Sequence, residues 1–179
     1  MATVYIKPGT GTGTGTLSDP YFYSQLATAE TAAGSGGTIL FTDGTYTASS
    51  FSFDENGVNY KSLNPLGATL EGTAGALRAI TLGHYSLTTA SMSIENFVIS
   101  NCRITAYLST AVSEKHTIKG NKLTASLSSA ALITSQGSNT VDLLNNSFNI
   151  DFNAGSALSS AYNKGTISGN TFYVDTDRS

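Results

Sequence analysis

A chain of 179 residues is long enough for one buried core and short for two, and with 40% apolar residues it is not a disordered polymer. Only 12% of the residues are charged, and six Lys and three Arg lie scattered under a net charge of −3; this excludes a phosphate-neutralising nucleic-acid surface. Thr, Ser, Gly and Asn supply 80 of the 179 residues, which favours strands and turns over long helices. Cys102 stands alone, excluding an internal disulfide and a Cys-based metal site. No apolar stretch reaches membrane-spanning length. The start, Met1-Ala2-Thr3-Val4-Tyr5, has neither the basic nor the apolar region of a secretory signal. The expectation is a protein made in the cytosol and used outside it, as virion proteins released by lysis are.

In chain order, Thr3-Val4-Tyr5-Ile6 alternates as a first strand does. After Pro8, Gly and Thr alternate through Thr16. Such a run buries no face and reads as a loop; no Gly-Lys-Ser/Thr closes it, so it is not a phosphate loop. Ser18-Asp19-Pro20 predicts a helix start, with Asp19 as N-cap and Pro20 at the first helical position. Phe22, Leu26, Ala29 and Ala33 then recur at helical spacing, and Gly34-Ser35-Gly36-Gly37 ends the helix. From Thr38 onward the runs are strand-like, from Thr38-Ile39-Leu40-Phe41 to Ala79-Ile80-Thr81-Leu82, with turn signals at Asp43-Gly44 and Asn56-Gly57.

The second half repeats. Phe97-Val98-Ile99-Ser100-Asn101-Cys102-Arg103-Ile104 aligns with His116 to Leu123, Val141 to Phe148 and Gly165 to Phe172. The shared pattern is an apolar residue, a variable one, Gly or Asn, then Asn, a variable one and an apolar one. Cys102, Asn121, Asn146 and Asn170 occupy the Asn position. Repeats of this length indicate a solenoid whose units bury their faces only against neighbours. Equivalent apolar side chains then stack into internal columns about 4.8 Å apart. Gly and Asn tolerate the left-handed backbone of a tight corner, and stacked Asn amides form a structural ladder.

Val4-Tyr5-Ile6-Lys7-Pro8-Gly9, the helix ending Ala32-Ala33-Gly34, and Gly37-Thr38-Ile39-Leu40-Phe41-Thr42-Asp43-Gly44-Thr45-Tyr46 resemble the entry module of pectate-lyase-like parallel β-helix proteins. The later repeats resemble that superfamily's coils. The resemblance implies an all-β, right-handed single-stranded parallel β-helix with one N-terminal amphipathic capping helix. The expected layout is a single domain, 1–179: strand, loop and capping helix over 1–37, coils over 38–174, and a tail over 175–179. The superfamily includes polysaccharide lyases, glycosidases, epimerases, adhesins and phage tailspikes, so the fold does not select an activity.

A glycosidase needs two carboxylates on one outward face. The aligned outward columns are Val98, Thr117, Asp142, Thr166; Ser100, Lys119, Leu144, Ser168; Arg103, Lys122, Ser147, Thr171; and Thr105, Thr124, Asn149, Tyr173. They hold one acid. The catalytic candidates are therefore the weak ones, Asp142, Arg103 and Lys122: in this register Arg103 and Lys122 are neighbours, and Lys119 lies diagonally from Asp142. A solvated basic pair and one surface ion pair is the plainer reading. No acidic cluster has calcium-ligand spacing, and no metal or other cofactor is expected. His116 sits in a column with Phe97, Val141 and Gly165 and reads as structural; His84 precedes Tyr85 in a turn-like stretch. Cys102 reads as a packed thiol. Tyr21, Tyr23, Tyr60, Tyr107 and Tyr162 are candidates for sugar stacking.

The expected function is a non-enzymatic structural or receptor- and glycan-facing protein, a phage capsid appendage or tail-fibre module located in the virion. The alternatives are a carbohydrate-active enzyme and a bacterial surface adhesin, extracellular or on the cell surface. The partners expected are copies of the chain, as a trimer, or other virion proteins, and possibly a surface glycan; neither nucleic acid nor membrane insertion is expected. An uncovered last coil around Tyr173 and Val174 would be an edge best closed by a partner.

Overall fold

The computed structural model describes residues 1–73, 78–84, 88–108, 114–127, 133–137, 140–152, 158–160 and 165–174. β1 (Thr3–Lys7) alternates as its sequence does, with Val4 and Ile6 turned into the core. Beside it runs β2 (Tyr21–Phe22), Ile6 opposite Tyr21. A 3-10 turn (Tyr23–Gln25) leads into α1 (Leu26–Ala33), the one α-helix among the described residues.

From there the chain passes repeatedly through three sheets in fixed order. The first circuit is β3 (Thr38–Phe41), β4 (Gly44–Ala48) and β5 (Ser50–Phe53). The second is β6 (Asn59–Ser62), β7 (Ala68–Gly72) and β8 (Arg78–Leu82). The third is β9 (Ser93–Glu95), β10 (Val98–Ser100) and β11 (Cys102–Leu108). The fourth is β12 (Lys115–Lys119), β13 (Lys122–Leu127) and β14 (Ile133–Gly137). The fifth is β15 (Thr140–Leu144), β16 (Ser147–Phe152) and β17 (Leu158–Ser160). A sixth begins with β18 (Ile167–Ser168) and β19 (Thr171–Val174). Each strand pairs in parallel with its equivalent one circuit away. The chain is thus mostly β, its sheets are all parallel, and the arrangement is compatible with an all-β solenoid.

The register makes the core explicit. Val4, Ile39, Tyr60, Ile94, Ile118, Leu143 and Ile167 lie in line across the first sheet. Tyr46, Leu70, Ile99, Leu123, Phe148 and Phe172 do so in the second. Phe51, Ile80, Ile104 and Ile133 do so in the third. Near the N-terminal strands the interior is aromatic. Phe41 of the first sheet meets Tyr46 of the second and Phe53 of the third, with ring centroids 5.0 and 5.8 Å apart, and Phe53 stacks on Tyr60 at 4.3 Å. These rings knit all three sheets together.

Two expectations need correction. The helix begins at Leu26, not after Asp19-Pro20. The Asp19 carbonyl instead accepts the amides of Thr14 and Gly15 at 3.1 and 3.0 Å, closing the Gly/Thr loop. Tyr21 and Phe22 are drawn into pairing with β1, and the Gln25 side chain accepts the Phe22 amide at 3.2 Å and the Gly13 amide at 2.9 Å. Sheet pairing outbids the local helix-start signal here. Ala29, Glu30 and Ala33 form the buried face of α1, which packs on β1 and β3.

The second correction concerns the third circuit. Val98 pairs with Lys122 and Ser93 with Thr117, so Phe97, not Cys102, occupies the Asn121 position. The aligned segment was five residues out of register. With the slip removed, Phe97, Asn121, Asn146 and Asn170 follow at 24, 25 and 24 residues. Cys102 opens β11 in another sheet, opposite Arg78, and is buried.

Candidate functional site

The corner between the first and second sheets holds the most developed polar arrangement. Asn121 Oδ1 accepts the Phe97 amide at 2.9 Å, while its Nδ2 donates to the Ile94 carbonyl at 3.0 Å. Asn146 repeats this on the Asn121 amide and the Ile118 carbonyl, at 3.0 and 2.9 Å. Asn170 repeats it on the Asn146 amide and the Leu143 carbonyl, at 2.8 and 2.7 Å. Side-chain amides also join directly: Nδ2 of Asn121 donates to Asn146 Oδ1 and Nδ2 of Asn146 to Asn170 Oδ1. Asn121 and Asn146 are buried. The arrangement satisfies backbone groups that a tight bend would strand. One residue before each ladder position the backbone is left-handed, at Asn96, Gly120, Asn145 and Gly169. Asn and Gly alternate there, and a Cβ on Gly120 would stand 2.3 Å from Asn96 Oδ1. The Asn side chain of one circuit fills the space its Gly neighbour leaves.

The three catalytic candidates are not brought together. Asp142 lies in the first sheet, Lys122 in the second and Arg103 in the third. Arg103 pairs with Ala79, and Lys122 stands between Val98 and Ser147, so the expected Arg103–Lys122 adjacency is absent, a consequence of the register slip. Lys119 pairs with Leu144; the cation at Asp142 is Lys115, 2.5 Å away. Asp142 also accepts the Thr166 amide at 2.8 Å. Burial acts to raise its pKa, but the bonds from Lys115 and Thr166 outweigh it and hold the carboxyl below its ordinary range. An acid so held is a poor proton donor or acceptor near neutrality.

His116 is fully buried, in line with Val141; Met92, not Phe97, is its neighbour in the third circuit. Its Nδ1 accepts the Met92 amide at 3.1 Å and its Nε2 lies 2.5 Å from the Tyr107 carbonyl. This pattern assigns the neutral ring with Nε2 protonated. Desolvation lowers its pKa, against the pull of those two backbone bonds. His84 is exposed, and its amide donates to the Thr88 hydroxyl. Burial pushes the Cys102 thiol up to about 12, so it is inert.

Of the tyrosines, Tyr60 is core and Tyr23 packs on Tyr46 and Phe51. Tyr21 and Tyr107 are half-buried, and Tyr162 lies outside the described residues. Among the described tyrosines the exposed one is Tyr173, which an outward column position could have indicated.

One arrangement was not read from the sequence. Glu30 on α1 is buried, and its Oε1 accepts the Tyr60 hydroxyl at 2.7 Å. Burial raises its pKa to about 7; Tyr60 and the Asp54 amide act against this, and the Asp54 and Glu55 charges add to it. Glu30 falls on the helix stripe one residue after Ala29, which was the only available signal. Among the described residues no three His, Cys, Asp or Glu side chains could hold a metal, and no helix is long and apolar enough to cross a membrane. The chain matches no protein-family model, no curated protein and no solved structure.

Proposed function

We propose that the chain is a right-handed parallel β-helix of pectate-lyase-like character, capped at its N-terminal end by α1, and that it acts as a structural, non-enzymatic component of an assembly. The observation that carries this reading is the state of the last described circuit. Ile167 and Phe172 continue the internal columns of the first two sheets, yet they are 54% and 44% exposed, and Tyr173 beside them is 59% exposed. Apolar column positions open in this way offer a face on which another copy of the chain could stack. A second support is the dispersal of Asp142, Lys122 and Arg103 over three sheets. A third is the row of hydroxyls aligned along the third sheet, Ser52, Thr81, Thr105 and Thr134, of which Ser52 is exposed, Thr81 and Thr134 are half-buried and Thr105 is covered.

The partner favoured is the chain itself, as a trimer, and the setting favoured is a virus particle with a host-surface glycan in contact. Native mass spectrometry tests the assembly: a trimer is expected, reduced to monomer by Phe172→Asp combined with Ile167→Asp. A monomer at every concentration would overturn it. Cleavage of any acidic or neutral polysaccharide that is lost in Asp142→Asn or Arg103→Ala would overturn the non-enzymatic reading.

A further inference from the structure

Of the three side chains that α1 buries, two are the methyl groups of Ala29 and Ala33 and the third is the carboxyl of Glu30. Glu30 is 6% exposed and reaches Tyr60, itself fully buried, in line with Ile39 and Ile94 and stacked on Phe53. The Tyr60–Glu30 bond therefore ties the helix directly to the aromatic interior. The groups facing this carboxyl come from several elements. β6 contributes Tyr60 and the 3-10 turn contributes Tyr23. The stretch between β5 and β6 contributes the Asp54 and Glu55 carboxylates and the Asp54 amide. β1 and β3 turn Val4, Ile6 and Ile39 inward, and none of these titrates. The remaining titratable groups of β1, Tyr5 and Lys7, alternate to its other face, where Lys7 rests over the Phe22 ring. Both charges that act on Glu30 are negative.

We propose that Glu30 is a proton-operated latch for α1: protonated, it holds the helix on the end of the sheets, and ionised, it loosens the helix and opens access to the aromatic interior. Ionisation places a charge on a carboxyl that is only 6% exposed, and the Asp54 and Glu55 charges, themselves on solvent-exposed side chains, add a smaller repulsion. The ordinary Glu value is 4.5 and the folded one about 7. A group whose folded pKa is raised stabilises the closed helix fully below 4.5 and loses that contribution as pH rises through about 7. The latch is independent of the assembly reading above.

Amide hydrogen exchange, corrected for intrinsic rates, tests it at about pH 5.5 and 8.5. Protection of α1 relative to β7 should fall about tenfold or more at the higher pH. Glu30→Gln is neutral at both pH values and still accepts from Tyr60, so it should hold the acidic-pH protection throughout. An α1 whose relative protection is the same at both pH values, or a Glu30→Gln protein that loses protection as the original does, would overturn the latch. A direct check that needs no variant is carboxyl-carbon NMR of labelled Glu: a Glu30 midpoint near 4.5 would overturn it, and one near neutrality would support it.

Discussion

Asn146 is the residue on which most corner bonds converge. It serves the Asn121 amide, the Asn121 side chain, the Ile118 carbonyl and Asn170 at once, with both faces shielded from water. Replacing it by Ala leaves a buried donor and a buried acceptor without partners, and each such group costs about 1–3 kcal/mol. Asn146→Ala should therefore lower the stability measured by urea unfolding by about 2–4 kcal/mol. Asn170→Ala should cost less, since Asn170 is only half-buried. Equal losses would mean that packing, and not unsatisfied polarity, holds the corner. The sequence showed this chemistry at Asn121, Asn146 and Asn170 because Gly or Asn precedes each of them. It misled at Cys102 for a physical reason. Asn101 is also a left-handed corner residue, with φ 54°, but it turns the chain from the second sheet to the third. The right backbone signal was attached to the wrong corner, while the true position held Phe97.

At the scale of the element, the alternation of Asn96, Gly120, Asn145 and Gly169 makes neighbouring corners dependent on one another. A Cβ at Gly120 meets Asn96 Oδ1 and must also occupy a left-handed conformation, whose cost for an L-residue is about 1–2 kcal/mol. Gly120→Ala should destabilise by about 2 kcal/mol or more. Adding Asn96→Gly removes the colliding oxygen, so the double variant should lose less than the sum of the two single losses by about 0.5 kcal/mol or more. Strict additivity in a double-mutant cycle would refute the steric coupling. Strands were legible wherever alternation was clean, as in Thr3–Lys7. The start of α1 was not, because pairing of Tyr21 and Phe22 with β1 depends on a strand fourteen or more residues away in sequence, which no local cap signal reports.

Across the whole molecule, two buried titratable groups give opposite pH slopes. His116 has a folded pKa below its ordinary 6.5, so the unfolded chain takes up the proton first. Its contribution is fully present above about pH 6.5 and is lost as pH falls through the folded value. Glu30 works in the other sense, losing its contribution as pH rises through about 7. The original protein should show a muted dependence between about pH 5 and 7.5. In Glu30→Gln the His116 slope should stand alone, and the urea midpoint should drop as pH falls across that range. A flat profile in Glu30→Gln would refute the assignment of a neutral, doubly bonded His116. The solenoid organisation was legible from the repeat, whereas its division into three sheets shows only in the pairing of the strands. The Glu30 site was not, since a single carboxyl on an apolar helix stripe acquires its meaning only when Tyr60 arrives beneath it from another element.

The ladder also has a direction. Each Asn reaches back with both ends of its amide to the circuit made before it: Asn121 to Phe97 and Ile94, Asn146 to Asn121 and Ile118, Asn170 to Asn146 and Leu143. A corner is thus sealed by the arrival of its successor. For a chain emerging N-terminus first, growth and sealing run the same way, and the structure behaves like a zip whose slider moves only toward the C-terminus. Loss of a circuit from that end unseals the corner before it, whereas loss from the opposite end leaves every remaining seal in place.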